Sequence, residues 1–123
     1  MILVDTSVWI DYLHAGDERL SAALNAGLVL MHPMVLGELA CGTLRNRAAV
    51  LDLLSNLPSA PRASDAEVLA LLERGTLMGR GIGYVDVHLL ASATLAGTAR
   101  LWTRDKRLAA VAAELALAFD ERR

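Results

Sequence analysis

At 123 residues the chain is the size of one domain, and the span 1–123 is read as a single unit. It is 54% hydrophobic and only 21% charged, with a net charge of −2, which excludes an intrinsically disordered chain. One cysteine and three scattered histidines exclude a disulfide framework and a cysteine-rich zinc site.

The opening Ile2-Leu3-Val4 is a short apolar run, suited to a strand buried on both faces, and it stops at Asp5. No basic stretch precedes that acid, so the N-terminus does not read as a secretory signal. Thr6 or Ser7 can cap a helix to about Leu13, and Asp17 a second one that ends at Gly27. Leu28 to Met31 is a second strand. Residues 20–37 carry no charge, but Asn25, Gly27, His32 and Pro33 break the run, so no membrane span and a cytoplasmic location are expected.

Pro33 suits the first turn of a third helix, which runs to about Cys41. Residues 45–57 form a fourth helix with Val50, Leu51, Leu54 and Leu57 inward. Pro58–Arg62 is irregular or a very short strand. Ser64 and Glu67 have capping-box spacing and open a helix that turns Val68, Leu71, Leu72 and Met78 inward. A turn with Gly79, Gly81 and Gly83 leads to a helix from about Asp86, with Val87, Leu90, Ala91, Thr94 and Leu95 at helical spacing. Leu101-Trp102-Thr103 is a strand, Lys106 to Ala113 a helix and Leu117 to Phe119 a last strand. Short apolar strands alternating with helices predict an α/β fold on a parallel sheet.

Most of the 14 acids suit helix first turns, polar helix faces or the C-terminal tail. Four do not. Asp5 and Asp105 each follow an apolar strand directly, at the strand edge where open α/β sheets bind ligands. Glu38 shares a helix face with Met34, Val35 and Cys41, and Asp86 opens an apolar helix. Taken singly, Asp86 and Asp105 are best read as helix N-caps. Taken together, four such acids from four segments form an oxygen-only donor set of the kind that suits Mg2+ or Mn2+. Paired metals about 4 Å apart clamp both oxygens in phosphodiester cleavage.

With those residues placed, the chain resembles the PIN-domain family, and within it the ribonuclease toxins of VapBC toxin–antitoxin pairs. The resemblance rests on ILVDTSVWIDYL, GELACG, YVDVHLLASA and LWTRDKRL, in that order along the chain. It implies a three-layer α/β/α fold around a mostly parallel sheet of about four to five short strands. It also implies a metal-dependent endoribonuclease, using Mg2+ with Mn2+ able to substitute. Asp5, Glu38, Asp86 and Asp105 match the family's acidic metal-binding positions, with Asp5, Asp86 and Asp105 as direct ligands and Glu38 serving a second metal or its water. Thr6 and Thr103 match hydroxyl positions that support the carboxylates or the attacking water. The implied partners are an RNA substrate, a VapB-like antitoxin and a second copy of the chain in a homodimer, with no membrane. The antitoxin is expected to place an arginine among the four acids. The middle of the chain, about 42–80, says nothing about which RNA is cut.

Two bound Mg2+ would bring the net charge from −2 to about +2, and Arg45, Arg47, Arg104, Lys106 and Arg107 could then follow a phosphate backbone, although each arginine taken singly reads better as a solvated surface residue. Trp9 and Trp102 read as core residues beside the strands rather than base-stacking platforms. His88 sits about 200° around the helix from Asp86 and is not expected to share its site. A haloacid dehalogenase-type phosphatase needs an aspartate at position 7, where this chain has Ser7. A non-catalytic RNA-binding module on the same fold would be favoured by loss of one of the four acids, and all four are present.

Overall fold

The computed structural model describes residues 1–122. The elements run β1 (Ile2–Val4), α1 (Thr6–Ala15), α2 (Glu18–Asn25), β2 (Val29–Leu30), α3 (Pro33–Cys41), α4 (Arg47–Ser55), α5 (Asp65–Arg74), α6 (Tyr84–Ala96), β3 (Arg100–Trp102) and α7 (Lys106–Glu114). The sheet is parallel in the order β2-β1-β3. Ile2 pairs with Val29 and Arg100, Leu3 with Leu30 and Leu101, and Val4 with Trp102.

Successive strand side chains point to opposite faces, and Ile2, Leu3 and Val4 are all buried, so helices cover both faces of the sheet. The result is the expected three-layer α/β/α arrangement. α6 lies against β3 and against α5, while α3 packs on α1 and α4. Trp9 and Trp102 are fully buried, and Trp102 stacks on Phe119 with ring centroids 4.8 Å apart.

Local chemistry sets most boundaries. Asp17 Oδ1 accepts from the Leu20 N–H at 2.9 Å, capping α2. The Ser64–Glu67 capping box is formed in both directions, at 3.1 and 2.9 Å. His32 caps α3 by accepting the Met34 N–H on Nδ1 at 3.0 Å, a role its sequence position had not suggested.

Four expectations need correction. The sheet has three strands rather than four or five: Ser59 and Ala118 each make one isolated parallel bridge, to Met31 and Leu101. Leu117–Phe119 follows Ala116 (φ 58°), where the chain turns out of α7, and meets the sheet only through the single Ala118 bridge. α6 begins at Tyr84, so Asp86 is its third residue and Gly83 its cap. Met78 and Leu95 are exposed, since the first lies beyond the end of α5 and the second on the outer side of α6.

Candidate active site

The C-terminal ends of β1 and β3 lie side by side, and the residues that follow them form the floor of the site. Asp5 leaves β1 with only 7% of its surface exposed and begins α1. Its Oδ2 accepts two hydroxyls, from Thr103 at 2.7 Å and from Ser7 at 2.8 Å. Ser7 Oγ in turn accepts the Arg104 N–H at 3.0 Å, and Thr103 Oγ1 accepts the Asp105 N–H at 3.1 Å. A short hydroxyl network therefore fixes the Asp5 rotamer and the turn that carries Asp105. Sequence reasoning anticipated Thr103 and missed Ser7, although its position two residues after Asp5 was a usable signal.

Asp105 is the N-cap of α7, as the reading of it alone predicted. Its Oδ1 accepts the N–H groups of Arg107 and Leu108 at 2.9 and 3.1 Å. Asp86 sits in the first turn of α6 and reaches back to the Gly83 N–H, which donates to Oδ2 at 2.8 Å. Each capped carboxylate keeps its other oxygen outside the cap. Glu38 is exposed on α3, not sunk among Met34, Val35 and Cys41, and accepts the Thr6 hydroxyl on Oε1 at 2.7 Å. Thr6 thus joins α1 to α3.

Asp86 lies within the electrostatic reach of the other three acids. Burial pushes the Asp86 carboxyl above its usual range, the Gly83 N–H pulls it back, and the negative charges of Asp5, Asp105 and Glu38 raise it further. Among the described residues no Arg, Lys or His forms an ion pair with any of the four. Arg104, adjacent in sequence, points away. Its guanidinium binds Asp11 Oδ2 at 2.8 Å, Asp17 Oδ2 at 2.7 Å and Glu121 Oε2 at 3.2 Å, and lies 5.7 Å from the Trp102 ring centroid. The hydrogen bonds it donates to Asp17 and Asp11, then to Glu121, hold its proton more tightly than usual. Arg104 is therefore not free to follow a phosphate backbone. Arg47 donates to the Ala40 and Gly42 carbonyls at the end of α3, which engages it too.

An unneutralised ring of oxygen donors suits a hard divalent cation. Among the described residues no three His, Cys, Asp or Glu side chains stand close enough to grip one ion together. That openness fits a cation such as Mg2+, which takes one or two carboxylates and keeps several waters. His88 is buried against Tyr84, with ring centroids 4.8 Å apart, and plays no part in this ring.

The PIN domain model matches residues 2–114. The chain is 53% identical over 121 residues to a protein named Ribonuclease VapC32 in two strains of Mycobacterium tuberculosis, covering 98% of both sequences in each case. From end to end of its fold, this chain belongs to the PIN-domain family and is of the VapC type.

Proposed function

We propose that the protein is the toxin of a type II toxin–antitoxin pair, an endoribonuclease that hydrolyses RNA phosphodiester bonds with a divalent cation. The observation that carries this reading is the gathering of Asp5, Glu38, Asp86 and Asp105 from four chain segments with no compensating cation. Its similarity to a ribonuclease over the whole chain supports the substrate class.

Asp5, Asp86 and Asp105 would hold the cation, one or two of them directly and the rest through its waters, with Glu38 beside it for a second ion or a water. When bound, Mg2+ or Mn2+ supplies Lewis acidity for the phosphate's developing charge and makes water a competent nucleophile. Ser7 and Thr103 keep Asp5 in one rotamer, and Thr6 does the same for Glu38. The backbone N–H groups that cap Asp86 and Asp105 fix those carboxylates without neutralising them. Attack by water leaves the RNA 2′-hydroxyl unused, so products carry a 5′-phosphate and a 3′-hydroxyl.

A VapB-like antitoxin would inhibit by covering the site and placing an arginine among the acids, since a guanidinium pairs bidentately with carboxylates. A two-fold homodimer would bury some of the apolar side chains now outside, such as Ile10, Leu53 and Leu69, which are 56, 69 and 52% exposed. No helix among the described residues is long and apolar enough to cross a membrane. The test is cleavage of RNA by the purified chain with Mg2+, with Mn2+ and with chelator, followed by analysis of product ends. Metal-independent cleavage, or products ending in a 2′,3′-cyclic phosphate, would overturn the mechanism. Light scattering at tens of micromolar protein tests the dimer, and a monomer there would exclude it.

A further inference from the structure

Arg80 pairs with Glu114, Arg104 with three acids, and Arg47 closes the end of α3. Arg107 stands apart from them. It is the second residue of α7, it is exposed, and among the described residues its guanidinium makes no hydrogen bond or ion pair. Its side chain is nonetheless seated. A Cβ added at Gly81 would fall 2.7 Å from Arg107 Cδ, 2.8 Å from Nη1 and 3.1 Å from Nε. Gly81 also has φ +81°, so this residue both bends the loop before α6 and leaves the slot that the arginine fills.

The slot lies between two members of the acidic ring. The Arg107 N–H is held by Asp105, and Gly83, two residues after Gly81, is held by Asp86. Resting along Gly81, the Arg107 guanidinium approaches none of the four carboxylates within ion-pair distance, and its donors stay open to an incoming anion.

We propose that Arg107 is the residue that grips the RNA backbone at this site, its fork engaging a phosphate beside the one that is cut. The inference rests on the ribonuclease reading and deepens it. A planar bidentate donor suits a phosphodiester's two free oxygens, and the Gly81 slot limits the rotamer freedom lost on binding. Arg107 acts on substrate binding rather than on the attacking water.

The experiment compares the parent with Arg107→Ala, Arg107→Lys and Gly81→Ala. Arg74→Ala, at the end of α5, serves as a control with the same change in net charge. Two readouts are taken: steady-state cleavage of a labelled single-stranded RNA with Mg2+, and anisotropy of the same RNA with each change placed on a cleavage-silent Asp86→Asn background across a salt series. Arg107→Ala should raise KM and Kd about tenfold, leave kcat within about threefold, and lower the salt slope of log K by about 1. Arg107→Lys should recover only part of the loss, Gly81→Ala should shift KM in the same direction, and Arg74→Ala should match the parent. Thermal unfolding of each variant checks that it is folded.

Parental KM, Kd and salt slope in Arg107→Ala would overturn the inference while leaving the ribonuclease reading intact. So would an equal loss in Arg74→Ala, or a fall confined to kcat. A parent that binds RNA through Arg107 but cuts none with any divalent metal would remove the ribonuclease reading and keep the phosphate grip.

Discussion

The Thr103 hydroxyl donates to Asp5 Oδ2 at 2.7 Å, joining the ends of two neighbouring parallel strands across 98 residues of sequence. Thr103 Oγ1 also accepts the Asp105 N–H, so one side chain sets the position of two of the proposed ligands. Thr103→Val keeps the shape and removes the hydroxyl. Cleavage should fall about 10- to 100-fold, with the loss recovered as Mg2+ is raised, because supporting hydrogen bonds act on metal affinity. Thr103→Ser should restore most of it. Parental activity of the valine variant at limiting Mg2+ would show that Asp5 needs no such support.

Asp86→Asn should abolish cleavage and yet stabilise the metal-free protein. An acid held above its ordinary value of 3.8 favours the protonated folded state, so its contribution supports folding at low pH and turns against it as pH rises through the folded-state value. At neutral pH the charge is a liability that a neutral amide removes, while its carbonyl can still accept from Gly83. The melting temperature without metal should rise by a few degrees. Added Mg2+ should raise the parent's melting point more than the variant's. A lower melting point in the variant would mean that the carboxylate's cap outweighs its burial and repulsion.

Arg104→Gln should cost about 1–2 kcal/mol of stability, discounted because the ion pairs are partly exposed. The guanidinium ties α1, the start of α2 and the C-terminal segment to one point beneath the Trp102 ring. Arg104→Lys should lose nearly as much, since one ammonium cannot reproduce the fork. Urea unfolding measures both. Because the residue faces away from the acidic ring, KM for RNA should change far less than in Arg107→Ala.

His32 predicts acid sensitivity. Burial, then the charges of His88 and Arg62, lower its pKa from 6.5 to about 4. The folded state therefore favours the neutral ring, whose Nδ1 accepts the Met34 N–H. That contribution is complete above pH 6.5 and is lost as pH falls toward 4, a difference of about 3 kcal/mol. His32→Asn keeps a cap acceptor and removes the titration. The drop in unfolding free energy between pH 7 and pH 4.5 should be smaller in the variant. An unchanged drop would assign the acid sensitivity to the carboxylates.

Much of the candidate site was legible because Asp5 and Asp105 follow strands that are apolar and short, which forces each carboxylate to a sheet edge. Asp86 read singly as an N-cap, and it is instead the third residue of α6. The pattern Gly83-x-x-Asp86 reads as a cap and its reciprocal partner once the helix is allowed to start at Tyr84. Arg104 was misjudged for a different reason. Its three acids lie at positions 11, 17 and 121, and only the fold shows that they converge. Charge on a loop beside a strand end looks the same in sequence whether it faces substrate or an internal network. The Leu117–Phe119 strand shrank to one bridge because its apolar pattern reports burial and not pairing.

The first strand of the chain is the middle strand of the sheet, and its two neighbours arrive later, β3 nearly at the C-terminus. At synthesis rates of roughly 5–20 residues per second, Ile2–Val4 leaves the ribosome several seconds before Arg100–Trp102 is made. Until then Asp5 has neither Thr103 to hold it nor Asp105 beside it, and the apolar strand has one bare edge. A partly translated chain consequently lacks the assembled acidic site, which comes together only near termination.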